Sequence, residues 1–160
     1  YIEQPLGEED IVDHAVLQKE IETPVCLDES VVSYEAAEAA IRLGSCKVIN
    51  IKSSRCCGVY EGKRIHDLCV AHGIPVWCGG MTELGIGRAQ NVSFASLPGF
   101  TELAHDVAAA NRYFDEDITS PMVDITDRCT IIVPDEDNGI RYEVDEKQID
   151  KMEAGHWIFK

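Results

Sequence analysis

The sequence has no apolar run of the roughly 20 residues that a membrane-spanning helix needs. Its first residues also lack the basic segment followed by an apolar one that marks a secretory signal. Basic residues are scarce, with 14 Lys and Arg against 29 Asp and Glu, and the formal net charge is −15. Such a surplus of negative charge repels the phosphate backbone of nucleic acids. We therefore expect a cytoplasmic protein that binds neither a membrane nor a nucleic acid.

The C-x-x-C pairs of structural zinc sites are also absent. The seven cysteines are odd in number and lie mostly in apolar segments, at positions 26, 46, 56, 57, 69, 78 and 129. Free cysteine is among the most buried residue types. We predict reduced, buried thiols. A redox-active pair at Cys56 and Cys57 is the alternative, with Arg55 as its basic neighbour.

What the chain does contain is a regular alternation of β-type and helical segments over its first two thirds. Its composition, 45% hydrophobic and 27% charged, is that of a globular domain. Strands are predicted from residue 2 and over 24–28, 47–52 and 74–78, and helices over 9–22, 34–43, 58–72 and 83–97. Ser33 suits a helix N-cap, and Gly44 suits a helix end. This order predicts βαβ units and a parallel sheet.

The last third of the sequence has a different pattern. A last short strand is predicted within residues 100–107. Apolar runs then follow at 123–125, 130–133 and 141–144, with an Asn138-Gly139 turn before the last of them. These features predict an antiparallel tail. We expect the tail to be a packing appendage and not a second catalytic unit.

Charged residues recur where the predicted strands end. Glu3, Asp28 and Lys52 are 25 and 24 residues apart, which is one βα unit in each case. In a parallel barrel the carboxyl ends of successive strands converge on one face, so these three side chains would meet around one pocket. On these residues alone, solvated surface charges remain an equal alternative.

The chemistry of this trio favours a metal-assisted proton transfer. Two carboxylates without a nearby imidazole suit a hard cation such as Mg²⁺, with Mn²⁺ as an alternative. A lysine beside them can act as an acid or base. The metal would stabilise a developing enolate while the lysine moves the proton.

Six short motifs give this chemistry a family context. They are IEQPL at 2–6, TPVCLDES at 23–30, INIK at 49–52, PVWCGGM at 75–81, GIGRA at 85–89 and RYF at 112–114. In this order they closely resemble the o-succinylbenzoate synthase and N-acylamino acid racemase branch of the muconate-lactonizing subgroup, in the enolase superfamily. The resemblance extends over nearly the whole chain.

The resemblance implies an α/β fold and a partial TIM-type barrel. Residues 1–107 would be the C-terminal part of an enolase-superfamily (β/α)7β barrel, strands four to eight, and residues 108–160 a C-terminal β-rich tail that packs toward a capping domain. A barrel opened in this way exposes strand edges. We therefore expect the chain to be unstable alone, to form a homo-oligomer, or to be complemented by the missing N-terminal half.

For the site, the resemblance implies that Glu3 and Asp28 are two of three carboxylate ligands of Mg²⁺. It implies that Lys52 is one of two acid/base lysines. The third ligand and the second lysine belong to earlier barrel strands, which these residues do not include. We expect the 160 residues alone to be inactive.

The same resemblance suggests which residues contact a small carboxylate substrate. We expect Asn50, Gly79, Gly80 and Met81 to do so, with rim packing as the alternative for Met81. The turn after Lys52 departs from the family's glycine-rich pattern. His105 stands where relatives tend to carry a glycine, so it either enters the substrate pocket or lies at the surface.

Two reactions are expected from this branch. One is loss of water from a cyclohexadiene carboxylate to give o-succinylbenzoate for menaquinone synthesis. The other is racemisation of an N-acylamino acid, such as an N-succinylamino acid. Both use the same metal-stabilised enolate and every residue named above, so the sequence does not separate them. A non-catalytic barrel fragment is the alternative of another class.

Two further motifs point to other functions. Gly85-x-Gly87 after a strand is like the start of a dinucleotide-binding fingerprint, but Gln90 occupies the third glycine position. Asn91 begins a glycosylation sequon, yet it lies in a predicted helix of a cytoplasmic-type protein. We predict neither function.

Overall fold

The main element of the fold is a four-stranded parallel sheet with the strand order β1-β2-β3-β4. The computed structural model describes residues 1–100, 102–133, 142–155 and 157–158. The strands are β1 (Ile2–Glu3), β2 (Val25–Leu27), β3 (Val48–Ile51) and β4 (Val76–Cys78). The helices that follow them are α1 (Ile11–Glu20), α2 (Tyr34–Leu43), α3 (Val59–Ala71) and α4 (Gly85–Ala95). The predicted alternation of strands and helices is confirmed, and the sheet is an open part of a barrel.

The two faces of the sheet have different partners. The strand residues that pack against the helices are apolar and buried; they are Val25, Leu27, Ile49, Ile51, Val76 and Cys78. Because successive side chains alternate, the other face carries a separate small cluster of Cys26, Val48 and Trp77. The polar residues at the strand ends continue this second face, which is the interior of the open barrel.

The helix ends follow local capping chemistry. The Ser33 hydroxyl accepts a backbone N–H at 3.2 Å, and Gly44 ends α2 with a φ of 74°. The helix α1 is shorter than predicted because Asp10 caps it by accepting the Asp13 N–H at 2.8 Å, while Ile21 is already extended. Within the described ranges, no helix combines the length and apolarity that crossing a membrane requires.

The predicted strand within 100–107 is wrong. In the described part of that range, a single parallel bridge joins Gly79 to Asp106. The Asp106 N–H donates to the Cys78 carbonyl at 3.1 Å, but the Cys78 N–H donates to Nδ1 of His105 at 3.0 Å. A side chain thus takes the place of the backbone carbonyl that a longer ladder would need.

The tail pairs its strands at other positions than predicted. The strand β5 (Thr119–Ser120) lies antiparallel to β6 (Glu143–Val144), and α5 (Glu146–Met152) follows. The predicted Asn138-Gly139 turn and Arg141 lie outside the described residues. An antiparallel pair is therefore present, and it uses residues 119–120 in place of the predicted runs.

The predicted strands at 123–125 and 130–133 are not formed, since side chains engage the backbone there. The Thr126 hydroxyl accepts the N–H groups of Arg128 and Thr130, each at 3.3 Å. The Asp124 carboxylate accepts the Ile125 N–H at 2.7 Å. Such local bonds compete with a strand ladder for the same donors.

The cysteines are all free thiols, and five of the seven are buried. The prediction of burial is wrong for Cys57 and Cys129, which are exposed. Burial raises the pKa of the Cys56 thiol to about 11. A thiol with so high a pKa is protonated at neutral pH and is a poor nucleophile. This disfavours a redox-active pair of Cys56 and Cys57.

A buried glutamine joins the end of α1 to the start of β2. The Gln18 side chain is 6% exposed, and its Oε1 accepts the Val25 N–H at 2.7 Å. Its Nε2 donates to the carbonyls of Ile21 and Thr23, each at 3.3 Å. One side chain therefore satisfies three backbone groups at a point where the chain reverses into the sheet.

We expect Gln18→Ala to lower the free energy of unfolding by about 1–3 kcal/mol, because buried backbone groups lose their partners. Urea unfolding followed by circular dichroism measures this change. The exposed neighbour Glu20→Ala is the control and should stay within about 0.5 kcal/mol of the parent chain. Equal unfolding midpoints for the two variants would contradict the assigned role of Gln18.

Candidate active site

The carboxyl ends of the strands open into one polar cavity. Glu3 ends β1, Asp28 directly follows β2, and Lys52 directly follows β3. All three line a cavity of about 390 Å³, whose other lining residues are Gln4, Glu29, Trp77 and Asp106. The structure therefore brings together the three side chains that the strand spacing predicted to meet.

Asp28 is the charge at the centre of this cavity. Its side chain is 5% exposed, and its Oδ2 lies 2.8 Å from Lys52 Nζ. Its other oxygen, Oδ1, accepts a hydrogen bond from the Arg55 guanidinium. A buried carboxylate is tolerated when it is paired and hydrogen-bonded, and both of its oxygens are used in this way. The Lys52 amine is thereby held at a defined place.

A second polar pair lies beside the first. Asn50 is 1% exposed, and its Nδ2 donates to Glu3 Oε1 at 2.9 Å. Its Oδ1 is buried and has no hydrogen-bond partner among the described residues. Asn50 is not among the residues that line the cavity, and its amide packs against the Gly79 backbone, so its predicted contact with substrate stays a prediction.

Gly79 is required by the close packing around these side chains. A β-carbon at this position would overlap the Asn50 amide and would lie 2.7 Å from Lys52 Cε. Only glycine leaves room for both side chains at the end of β3. The backbone of the segment after β4 thus forms the wall against which the Lys52 stem rests.

Gln4 fixes the loop that carries Asp28. Its Oε1 accepts the N–H of Asp28 at 3.0 Å and that of Ser30 at 3.3 Å, and its Nε2 donates to Ser30 Oγ at 2.8 Å. Its own backbone has a φ of 37°, in the left-handed region. A non-glycine residue is held there when surrounding contacts fix it, as these do.

Aromatic side chains form the floor of the cavity. Trp77 is 5% exposed, and its ring stacks on Tyr1 with the centroids 6.1 Å apart. Its Nε1 donates to Cys26 Sγ at 3.4 Å. Burial raises the pKa of Cys26 to about 12, so this thiol is a neutral part of the floor.

The other predicted contacts lie farther along the loop after β4. Gly80 packs against Asp106, since a β-carbon on it would lie 2.7 Å from the Asp106 carbonyl oxygen. Met81 is 46% exposed, and its N–H donates to Glu83 Oε2 at 2.7 Å. The residues that line the cavity include neither Gly80 nor Met81. Their predicted contact with substrate stays a prediction.

His105 takes neither of the two positions expected for it. It is half-buried, accepts the Cys78 N–H, and packs on Phe100 with the ring centroids 5.3 Å apart. Desolvation lowers its pKa. His105 is thus a neutral structural group at the edge of β4, and it is not among the residues that line the cavity.

Sequence reasoning missed several residues of the site. Gln4 follows a predicted strand directly and Arg55 lies one helical turn beyond Lys52, so position alone could have suggested both. Trp77 lies in a predicted strand, but the sequence does not predict which face of the sheet its side chain occupies. Asp106 reaches the cavity through the bridge to Gly79, which no local pattern indicates.

The donor set of the cavity suits an oxygen-preferring cation. Glu3 and Asp28 contribute carboxylate oxygens, and the residues that line the cavity include no imidazole or thiolate. Mg²⁺ is commonly bound through one or two carboxylates together with waters and substrate oxygens. Among the residues that the structure describes, no three Asp, Glu, His or Cys side chains form a metal-binding group.

Known proteins are similar to this chain in sequence. The family model of the enolase C-terminal domain-like proteins matches residues 1–148. The chain is 51% identical over 150 residues to the o-succinylbenzoate synthase of Geobacillus stearothermophilus, which covers 94% of this chain and 39% of that enzyme. It is 57% identical over 122 residues to the N-succinylamino acid racemase of Amycolatopsis sp, which covers 76% of this chain and 33% of that enzyme.

The fold agrees with these sequence matches. A crystal structure of an enolase superfamily member from Listeria innocua superimposes with a TM-score of 0.87 at 41% identity, covering 94% of this chain and 40% of that chain. The chain therefore spans well under half the length of the relatives it matches. With the family model matched over 1–148 and the same parallel sheet, the chain belongs to the enolase C-terminal domain-like family of the enolase superfamily.

Proposed function

We propose that the chain carries part of the active site of an o-succinylbenzoate synthase, a Mg²⁺-dependent carbon–oxygen lyase of menaquinone biosynthesis that works in the cytoplasm. The observation that supports this most is Lys52 Nζ, held 2.8 Å from Asp28 in a cavity that Glu3 also lines. The identity of 51% to a synthase supports a cyclic carboxylate as the substrate class.

Lys52 is the group that moves the proton. Its amine is anchored by Asp28, stands against the Gly79 backbone, and is 16% exposed at the cavity wall. A lysine placed within reach of a carbon next to a carboxylate can take the α-proton as a neutral amine and return one as an ammonium. The rigid wall limits the directions from which a substrate can approach the amine.

Glu3 and Asp28 would hold the Mg²⁺ ion, with Mn²⁺ as an alternative. Because both Asp28 oxygens contact cationic side chains, metal binding through Asp28 would replace its contact with Lys52 or with Arg55. When bound, the ion supplies positive charge that stabilises the negative charge developing on the substrate carboxylate. Asn50 keeps Glu3 oriented through its amide. Trp77 covers the floor, so the substrate ring would rest on an apolar surface.

A racemase of N-succinylamino acids is the second candidate. Its support is the identity of 57% over 122 residues to such an enzyme, which another synthase equals over 124 residues, so sequence identity does not rank the two candidates. Removal of an α-proton beside a carboxylate is common to both reactions. Parallel assays with the two substrate classes distinguish them.

The barrel needs further elements to close. The sheet ends at β1 on one side, and on the other side β4 meets only the single bridge to Asp106. Open strand edges favour pairing with another segment. We propose that a further polypeptide segment, continuous or separate, supplies the remaining strands, and that pairing between copies of the chain is the alternative. A barrel piece with a purely structural role is the non-catalytic possibility.

The role of Lys52 is tested by Lys52→Ala. In the chain combined with a segment that completes the barrel, we expect α-deuterium exchange of the substrate in D₂O, followed by NMR, to fall by at least about 100-fold, because the general base is lost. Lys47→Ala is the matched control, since Lys47 is exposed at the opposite end of the same strand. Exchange retained in Lys52→Ala would refute the assignment of the base.

The metal site is tested by chelation and by Asp28→Asn. In the same completed barrel, removing divalent ions should abolish activity, and adding Mg²⁺ should restore it. The substitution should raise the Mg²⁺ concentration for half-maximal activity by about tenfold or more, because an anionic ligand is lost. The exposed Glu22→Gln has the same charge change and should behave as the parent. Full activity in the presence of chelator would exclude the metal role.

The missing barrel elements are tested by mixing. The 160-residue chain is combined with the part of the Geobacillus stearothermophilus synthase that it does not cover. We expect a stoichiometric complex in size-exclusion chromatography with light scattering. We expect dehydration activity in the mixture and none in either component by itself. A compact, stable monomer of the isolated chain at micromolar concentration would contradict this view of the open barrel.

A further inference from the structure

A line of hydrogen bonds connects the residue after Lys52 to the loop after β4. Ser53 Oγ donates to Asn91 Oδ1 at 2.9 Å, and Asn91 Nδ2 donates to Glu83 Oε1 at 2.9 Å. The second oxygen of Glu83, Oε2, accepts the Met81 N–H at 2.7 Å. The oxygen and the nitrogen of the Asn91 amide thus bond to different partners, and so do the two carboxylate oxygens of Glu83.

One end of this line is next to Lys52 along the chain, and the other end is close along the chain to the Gly79 backbone that packs against the Lys52 side chain. Ser53 is the next residue along the chain, and Met81 is two residues beyond Gly79. A β-carbon at Gly79 would lie 2.7 Å from Lys52 Cε, so the backbone after β4 touches the lysine stem. A shift of Ser53 would therefore move the Lys52 amine, and a shift of Met81 would move the Gly79 backbone against which the Lys52 side chain packs.

The centre of the line is buried and separate from the cavity. Asn91 is 2% exposed and Ser53 is 1% exposed, and neither is among the residues that line the cavity. The Ser53 hydroxyl also accepts a hydrogen bond from Gln90 at 3.1 Å, which fixes its orientation. Burial of Asn91 on α4 also leaves no room for a glycan at its sequon.

We propose that Asn91 is a positioning residue, which acts through Ser53 and Glu83 to hold Lys52 and the Gly79–Met81 segment in register. The inference rests on the proposed function, because the register matters through the proton transfer at Lys52. Asn91 itself touches no reacting atom. Its asymmetric amide, with one acceptor and one donor, is what joins a hydroxyl on one side to a carboxylate on the other.

This asymmetry allows a test with reversed polarity. Asn91→Asp sets two carboxylates against each other. Glu83→Gln sets two donors against each other or, when the Asn91 amide turns over to donate to Ser53, leaves the buried Ser53 hydroxyl proton without its Asn91 acceptor. The double variant Glu83→Gln/Asn91→Asp restores all three bonds: the introduced amide donates to the introduced carboxylate, and its oxygen accepts the Met81 N–H. The double variant has the same net charge as the parent, so a rescue reports the hydrogen bonds.

The first readout does not depend on turnover. In the full chain mixed with its complementary segment, an amine-acylating reagent and peptide mass spectrometry give the acylation rate of Lys52, with Lys47 as internal reference. We expect each single variant to acylate Lys52 about threefold or more faster, and to exchange the Met81 amide proton faster, because local openings become more frequent. The double variant should return both rates to those of the parent.

The second readout is steady-state dehydration. We expect kcat to fall by about 10- to 100-fold in each single variant, with KM changed by less than about threefold, since a misplaced base impairs the chemical step. The double variant should recover to within about threefold of the parent by the same reasoning. Ser93→Ala, which removes a hydroxyl bonded to the Ala89 carbonyl within α4, is the control and should match the parent.

The outcomes separate the two proposals. Unchanged Lys52 acylation in both single variants, or a double variant no better than the singles, overturns the positioning role of Asn91. A parent mixture inactive on both substrate classes overturns the proposed function, while the acylation and exchange rates still decide whether the line positions Lys52. Equal effects of Ser93→Ala and Asn91→Asp would mean that general loosening of α4 explains the changes, and would also overturn the inference.

Discussion

The buried ion pair of Asp28 with Lys52 is the interaction on which the site depends. A carboxylate taken out of water without partners costs several kcal/mol, and removing one partner of such a pair leaves that cost uncompensated. Here both oxygens are engaged by cationic groups, and the Gln4 amide fixes the backbone of the same residue. The ends of β1, β2 and β3 are therefore tied together by charge at the place where the sheet would otherwise be most open.

The parallel sheet makes this arrangement possible because one face packs against the helices and the other faces the interior of the open barrel. Residues such as Leu27 and Ile51 are fully buried against the helices and supply the apolar packing. Their neighbours along each strand point into the barrel, where the packing is small and ends in polar groups. Hydrophobic burial on one face thus stabilises strands whose other face carries unsatisfied or charged atoms, such as Asn50 Oδ1.

Sequence predicted what local rules control. The helix caps at Ser33 and Gly44 depend on a few neighbouring residues. The spacing of the strand ends depends on the length of one βα repeat, which separates Glu3 from Asp28 and Asp28 from Lys52. The failures have two causes, one tertiary contact and local side-chain bonds to the backbone that compete with a strand ladder. The strand near Asp106 is lost because a distant His105 ring accepts a ladder donor, and the tail strands are lost because Thr126 and Asp124 engage nearby N–H groups. Gln4 and Trp77 were missed as site residues because their role depends on which residues face them across the sheet.

The two candidate reactions share their first step and diverge in the next one. Racemisation must return a proton to the face opposite to that from which it was taken, which needs a second acid across the substrate. Among the described residues that line the cavity, Lys52 is the only amine, and the others are Glu3, Gln4, Asp28, Glu29, Trp77 and Asp106. These residues can thus account for proton removal on one side only. The choice between loss of water and return of a proton must then depend on how the rest of the barrel holds the substrate over this lysine.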